Sequence, residues 1–271
     1  MTIGRWLTDA YNALEQAGVP SGRLDAELIV AHVTTHNRAW VLAHTDDVFP
    51  AEVEHQAQTF LRRRLNREPL VHITGKREFY GLDFEITPEV LTPRVETEQM
   101  VEWAVKYAPQ NSRLIDIGTG SGAIAVAIKN TRPDLTVTAT EVSETALAVA
   151  RRNAAAHQAD IIFVLSDLWD NVDGSFETIC TNLPYLKDES RSELMEEVKH
   201  EPDVALFGGP DGLDIYRRFL AAIPDRLAKG GFLFTECDPW QQPDLVSNAS
   251  QFSLSLIEQG YFISGFQFQA E

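Results

Sequence analysis

Three carboxylates and one amide, Asp116, Glu141, Asp167 and Asn182, stand at the ends of four successive apolar runs, each followed by a turn or a helical stretch. Asp116 opens Asp116-Ile117-Gly118-Thr119-Gly120-Ser121-Gly122, where three alternate glycines at a strand-to-helix turn let a ligand lie against bare backbone at a helix N-terminus. Because Gly118-x-Gly120-x-x-Ala123 also fits the dinucleotide fingerprint loosely, the glycines alone leave open a nicotinamide cofactor or S-adenosylmethionine. The acids favour the second. Beside a pyrophosphate Asp116 is repelled, whereas through the loop and water it anchors the cationic amino-acid end of S-adenosylmethionine. Glu141, 25 residues on, is placed to accept both ribose hydroxyls. Asp167, in Ser166-Asp167-Leu168-Trp169, is placed to meet the adenine amino group with Leu168 or Trp169 against the ring. Ligands of such sheets bind at the carboxyl ends of the strands, so acids at three strand ends define one site.

The fourth run ends in Asn182-Leu183-Pro184-Tyr185. An amide or exocyclic aryl nitrogen is a poor nucleophile because its lone pair is delocalised, and acceptors on both of its N–H groups draw the hydrogens out of conjugation. Asn182 offers its side-chain oxygen and Leu183 its carbonyl, which Pro184 holds outward by keeping Leu183 extended. Tyr185 is placed to stack on the flat acceptor. This chemistry is methyl transfer to nitrogen, on an amide or on a base.

The elements that must position these residues follow from periodicity. From Ile3 to about Leu65 the spacing of Trp6, Tyr11, Leu14 and Ala17, then Leu24, Leu28 and Ile29, then Val53, Ala57, Phe60 and Leu61 predicts a small helical bundle. Residues 69–92 carry β-formers around Gly75 and Gly81 and read as a linking β-hairpin. A helix is predicted over 96–108. The chain from Arg113 then alternates strands and helices: 114–117, a helix from Gly122, 136–140, a helix over 144–157, 161–165 and 176–181. A helix over 212–228, a strand at 232–235, a helix over 250–259 and a strand at 261–268 complete the pattern. The fold class is α/β, a Rossmann-like methyltransferase sheet over 93–271, with a helical N-terminal domain over 1–68 for substrate recognition and the linker hairpin over 69–92.

Composition narrows the chemistry further. The chain of 271 residues has a net charge of −17 and no basic run longer than Arg62-Arg63-Arg64, which argues against stable nucleic-acid binding. The apolar stretches are shorter than a membrane span needs, and no secretory signal pattern opens the chain. Cys180 and Cys237 have no metal-ligand spacing, and the histidines form no His-Glu-x-x-His, so no metal is expected. A monomer in the cytoplasm is the expected form.

Over most of its length the chain resembles the protein-glutamine methyltransferases that modify the Gly-Gly-Gln loop of class I peptide-chain release factors. The likeness lies in Arg23-Leu-Asp-Ala-Glu-Leu, Arg38-Ala-Trp, the segment from Glu68-Pro to Gly81, Pro93-Arg94-Val95-Glu96-Thr97-Glu98, and the stretch from Glu201-Pro202 to Leu213. It implies S-adenosylmethionine on Gly118 to Gly122, Glu141 and Asp167 to Trp169, with the target glutamine of a release factor on the tetrapeptide. A ribosomal-protein glutamine, a nucleic-acid adenine, or a catalytically silent binding protein on the same fold are the alternatives. Three departures stand out: Leu183 replaces the family's Pro, Glu141 replaces its Asp, and Glu236-Cys-Asp-Pro-Trp lacks its glycine. With the chain ending soon after Phe268, the last strand of the sheet is expected to be missing.

Overall fold

A computed structural model describes residues 1–269. The chain divides into two compact units, Met1–Gly75 with the short segment Met195–His200, and Lys76–Leu194 with the chain from Glu201 onward.

The first unit contains helices α1 (Ile3–Gln16), α2 (Gly22–Thr34), α3 (Arg38–Ala43), α4 (Ala51–Leu65) and α5 (Leu70–Thr74). Thr2 starts α1 by accepting the N–H of Arg5 on its hydroxyl, satisfying a donor the helix leaves unpaired. Ile3, Trp6, Ala10 and Leu14 form its buried stripe, and Trp6 meets Phe49 edge-on at 5.8 Å. Tyr11 and Leu24, expected inside, are exposed. The stripe runs through Ala10, one step round the helix, because a small residue at that position also satisfies the i, i+4 spacing from Trp6. Residues 69–75, read as strand, form α5 instead: Pro69 precedes its first turn and Gly75, at φ 72°, closes it in the left-handed region.

An ion cluster locks this unit. The Arg64 guanidinium, 4% exposed, donates to Asp25 at 2.7 Å and to Glu197 at 2.9 Å, and Arg67 grips the same Glu197 with two bonds of 2.8 Å. Removing one partner of a buried pair strands the other charge at a cost of about 3–5 kcal/mol. Arg64→Ala is therefore expected to lower the midpoint of thermal unfolding by several degrees, roughly 3 or more, read by circular dichroism at the helical minimum. Arg62→Ala, on the same helix outside this cluster, is the control that should leave it in place.

In the second unit the strands β1 (Lys76–Phe79) and β2 (Leu82–Glu85) make the expected hairpin, turning at Tyr80 and Gly81, both at positive φ. Asn153 anchors it: its side chain accepts from Glu85 N and donates to the carbonyls of Glu85 and Ser121, joining the hairpin to the glycine loop. After α6 (Glu98–Tyr107) come β3 (Arg113–Ile117), α7 (Ala123–Thr131), β4 (Thr136–Glu141), α8 (Glu144–Ala156), β5 (Ile161–Leu165) and β6 (Phe176–Thr181). Then follow α9 (Asp214–Ala221), α10 (Ile223–Arg226), β7 (Leu227–Glu236), α11 (Gln242–Ser250), β8 (Leu254–Gln259) and β9 (Ile263–Phe268).

The seven strands lie in the order β5-β4-β3-β6-β7-β9-β8, with β9 antiparallel to both neighbours. The strand order reverses at β3, so the carboxyl ends of β3, β4 and β6 border one crevice. The last strand is therefore present, contrary to expectation. Residues 250–259, read as helix, are mostly the edge strand β8, and Leu254 and Leu256 at its start, with Phe252 in the turn before it, give a period-2 signal. The helix expected over 212–228 breaks in two at Pro224, which cannot donate to a continuing helix, and β7 begins at Leu227.

Candidate active site

The crevice at the switch point is a cleft of about 250 Å³. Gly118, Gly120, Glu141, Asp167, Leu168, Asn182, Leu183 and Pro184 line it, together with apolar side chains including Val90, Ile117, Val142, Ala146 and Ile215.

The glycine loop leaves β3 with Gly118 and Thr119 donating backbone N–H to the carbonyl of Thr140 at 3.0 and 2.8 Å. Gly120 is at φ 55°, and the place where its Cβ would stand has no atom within 4 Å, so bare backbone faces the cleft. Gly122 serves packing: a Cβ there would lie 3.1 Å from that of Ala150 on α8. Glu141 crosses from β4 to this loop. Its Oε2 accepts from Gly120 N at 2.9 Å and its Oε1 from Val142 N and Ser143 N at 3.0 Å. The extra methylene relative to aspartate supplies that reach; the three N–H bonds leave one lone pair, on Oε2, so a second hydroxyl would have to displace a loop N–H. Two adjacent carboxylate oxygens, a Cβ-free backbone wall and flat apolar walls at Val142, Leu168 and Leu183 fit a ribonucleoside.

Asp116 does not line the cleft. It is fully buried behind the loop, with Oδ2 accepting the Thr119 hydroxyl at 2.6 Å. Burial pushes its carboxyl up to about 7, against the pull of the Thr119 hydroxyl and the Ala125 N–H and with the charge of Glu141 adding to the rise. A carboxyl raised on folding keeps its proton in the folded state while the unfolded chain has lost it. Its contribution to stability therefore falls as pH rises from about 4 to about 7 and is level above. Asp116→Asn is expected to flatten this part of the profile, so that the loss of urea midpoint between about pH 5 and pH 8 is smaller in the variant. An unchanged slope would place the titration elsewhere.

Thr119, Ser121 and Gly122, also expected at the cofactor, do not line the cleft: the two side chains are buried and Gly122 packs on Ala150. Trp169 also lies away from the cleft: its ring stacks on Phe219 at 5.5 Å and its Nε1–H donates to the Phe219 carbonyl at 3.2 Å. Leu168 lines the cleft instead. It sits at φ 48°, a strained position for a branched side chain, with its carbonyl accepting from the Ser166 hydroxyl at 3.0 Å. Asp167 is paired with Arg218 at 2.7 Å; both are well exposed, so the pair is weak and open to exchange for a ligand amine.

The tetrapeptide is built from three sides. Tyr216, buried, accepts the Leu183 N–H on its hydroxyl at 3.3 Å and donates to the Glu236 carbonyl. That N–H is the one a proline at 183 would lack, so a hydrogen bond replaces part of the rigidity of the family's ring. The Gln241 side chain donates to the Tyr185 carbonyl at 2.9 Å. The Tyr185 hydroxyl reaches Glu236 Oε1 at 3.4 Å, and burial, followed by the nearby Glu236 charge, pushes its pKa up and keeps it protonated. Tyr185 lines a separate hollow, with Lys187, Asp238 and Trp240, the Lys187 ammonium lying 4.5 Å over the Trp240 ring. Residues 182–184 thus line the cleft, and Tyr185, next in the chain, lines the hollow.

Sequence reasoning did not assign Glu201, Tyr216, Arg218, Glu236 or Gln241 to any task. The signal was present for two of them as motif residues. Buried Glu201 accepts from Arg94 at 2.6 Å and from Thr92 N at 3.3 Å, joining Pro93-Arg94 to Glu201-Pro202. Glu236 accepts from the Thr97 hydroxyl at 2.6 Å.

Known proteins are similar to this chain in sequence and in fold. The model of the PrmC N-terminal domain matches residues 5–75, and that of the methyltransferase small domain matches residues 97–209. A curated relative from Deinococcus radiodurans, named release factor glutamine methyltransferase, is 38% identical over 249 residues, spanning 91% of this chain and 90% of its own. One of the same name from Escherichia coli is 34% identical over 252 residues, spanning 92% of this chain and 90% of its own. Among solved structures, a methyltransferase from Pyrococcus furiosus shares the fold at a TM-score of 0.54 and 19% identity, covering 80% of this chain and 98% of that one.

Proposed function

The chain belongs to the release factor glutamine methyltransferases, and we propose that its cleft holds S-adenosylmethionine while residues 182–185 present the glutamine of a Gly-Gly-Gln loop to it. The protein transfers a methyl group to the side-chain amide nitrogen of that glutamine in class I peptide-chain release factors, a modification that serves translation termination. The single observation that supports the site assignment is one cleft lined by Gly118, Gly120, Glu141 and Asn182 to Pro184, with Tyr185 next in the chain lining a second hollow.

S-adenosylmethionine supplies an electrophilic methyl on a sulfonium, whose charge is lost on transfer. The residues of the chain supply position and polarity. Glu141 would hold the ribose hydroxyls, Gly118 and Gly120 would let the cofactor approach the backbone, Leu168 and Leu183 would enclose the base, and Asp167, whose exposed partner is Arg218, would accept the base amine. Asn182 Oδ1 and the Leu183 carbonyl accept the two N–H groups of the glutamine amide, localising its lone pair and later easing loss of a proton. Tyr185 packs on the amide plane. Effective molarity and exclusion of water account for the rate, with no covalent intermediate.

The test is incubation of the protein with isotopically labelled S-adenosylmethionine and a release factor, followed by mass spectrometry of the tryptic peptides. One methyl on the Gly-Gly-Gln glutamine is the expected product. Cofactor binding with that peptide unmodified, and label appearing instead in a ribosomal protein or in adenine of nucleic acid, would reassign the substrate.

A further inference from the structure

Two stretches that line the cleft belong neither to the glycine loop nor to a strand end: Glu89, Val90 and Leu91, and then Pro202, Val204 and Ala205. They differ in how they are held. The second is fastened through backbone just beyond it, where Leu186 donates to the Leu206 carbonyl at 2.9 Å and accepts from Gly208 N at 2.9 Å. The first has no such fastening. Ile86 and Val90 are buried and give it a footing. Among the described residues, however, no backbone–backbone hydrogen bond joins 86–94 to any residue beyond Thr97. Val90 N turns back to the Thr87 carbonyl at 3.2 Å, and the Arg94 carbonyl accepts from Thr97 N at 3.1 Å.

One side chain ties the two stretches together. The Glu201 carboxylate, 3% exposed, accepts the Thr92 N–H on Oε1 at 3.3 Å and the Arg94 guanidinium on Oε2 at 2.6 Å. Thr92 directly follows Leu91, and Glu201 directly precedes Pro202, so each end of the tie adjoins a residue of the cleft. Pro93, with its fixed φ, stands between the two donors and keeps their spacing. We propose that Glu201 is a positioning residue for the cofactor: by joining 92–94 to 202–205 it holds both stretches as one wall of the cleft and so sets how long S-adenosylmethionine stays bound. The inference rests on the reading that this cleft takes S-adenosylmethionine. Glu201 does not itself line the cleft and acts through the wall. A wall free to swing lets a bound ligand lose its contacts one at a time, so loosening it raises the dissociation rate far more than it changes association.

Glu201→Ala removes both acceptors, whereas Glu201→Gln keeps an oxygen for the Thr92 N–H and loses the charge that grips Arg94. Dissociation is read by chasing labelled S-adenosylmethionine with unlabelled. Its rate is expected to rise about 10- to 100-fold in Glu201→Ala, the size of a hydrogen bond to a charged group, and about threefold to tenfold in Glu201→Gln. The KM for the cofactor should rise in the same order, with kcat at saturating cofactor within about threefold. Arg94→Gln should match Glu201→Gln, and combining the two should add less than about twofold, since they break one bond. Asp203→Asn, in the same stretch but in an exposed pair with Arg191, should leave the rate within about twofold. A readout free of ligand and activity is NMR exchange of the Thr92 amide proton, expected to be protected in the wild type and in Glu201→Gln and released in Glu201→Ala. If Glu201→Ala does not fold, Glu201→Gln and Arg94→Gln carry the rate test. An unprotected Thr92 amide in the wild type, unchanged dissociation in the Glu201 and Arg94 variants, or an equal rise in Asp203→Asn would overturn the proposal alone. A wild-type protein with the protected amide that binds no S-adenosylmethionine would instead sink the reading of the cleft, and this proposal with it.

Discussion

Asn182→Ala is expected to lower kcat on the order of 100- to 1,000-fold while the Kd for S-adenosylmethionine stays within about threefold, the size of loss found when one preorganised polar group is removed from a reacting centre. The reason lies in where Asn182 stands. It follows β6 directly at the margin of the cleft, where Thr181 before it is paired with both β3 and β7, so its backbone is in place before substrate arrives. A group that acts mainly in the transition state lowers kcat and kcat/KM together. Single-turnover methylation of a release factor, with Kd measured separately by calorimetry, separates the two quantities. Turnover that survives the substitution would remove Asn182 from the chemistry and shift the burden to the Leu183 carbonyl alone.

Glu141→Ala reverses the pattern. It removes the acceptor of three backbone N–H groups and the partner proposed for two ribose hydroxyls. At about 1.5–3 kcal/mol for a hydrogen bond to a charged group, losing the ribose contacts and loosening the glycine loop should weaken S-adenosylmethionine binding by roughly 100-fold or more. At saturating cofactor, kcat should remain within about threefold of wild type, because the reacting groups are untouched. Glu141→Asp makes a sharper point. It restores the family's residue and its charge but is too short to keep the bond to Gly120, so a Kd within about tenfold of wild type would show that the ribose contact, not the loop contact, dominates. Equal losses in Asp and Ala variants would show the opposite.

Much of this site was legible without coordinates because its parts are local. The acids and the amide fall at strand ends, a position set by the length of each apolar run, and Gly118, Gly120 and Gly122 are dictated by backbone that must turn at positive φ. The hairpin at 76–85 was readable from Tyr80-Gly81 between β-formers. The misreadings have the same origin. For 69–75 and 250–259, residue preference was ambiguous over a few residues, and tertiary packing decided between helix and strand.

By itself, then, the sequence determined the α/β class, the strand ends that carry Asp116, Glu141, Asp167 and Asn182, and, through its motifs, the family. Tertiary structure alone decided that Asp116 and Trp169 lie away from the cleft, that Glu141 bridges to Gly120, and that Tyr216, Gln241 and Glu236 hold the tetrapeptide. The physical reason is range. A strand end is set by a handful of neighbouring residues, whereas the Thr97–Glu236 bond joins groups 139 residues apart, and only the pairing of β6 with β7 brings Glu236 beside Asn182.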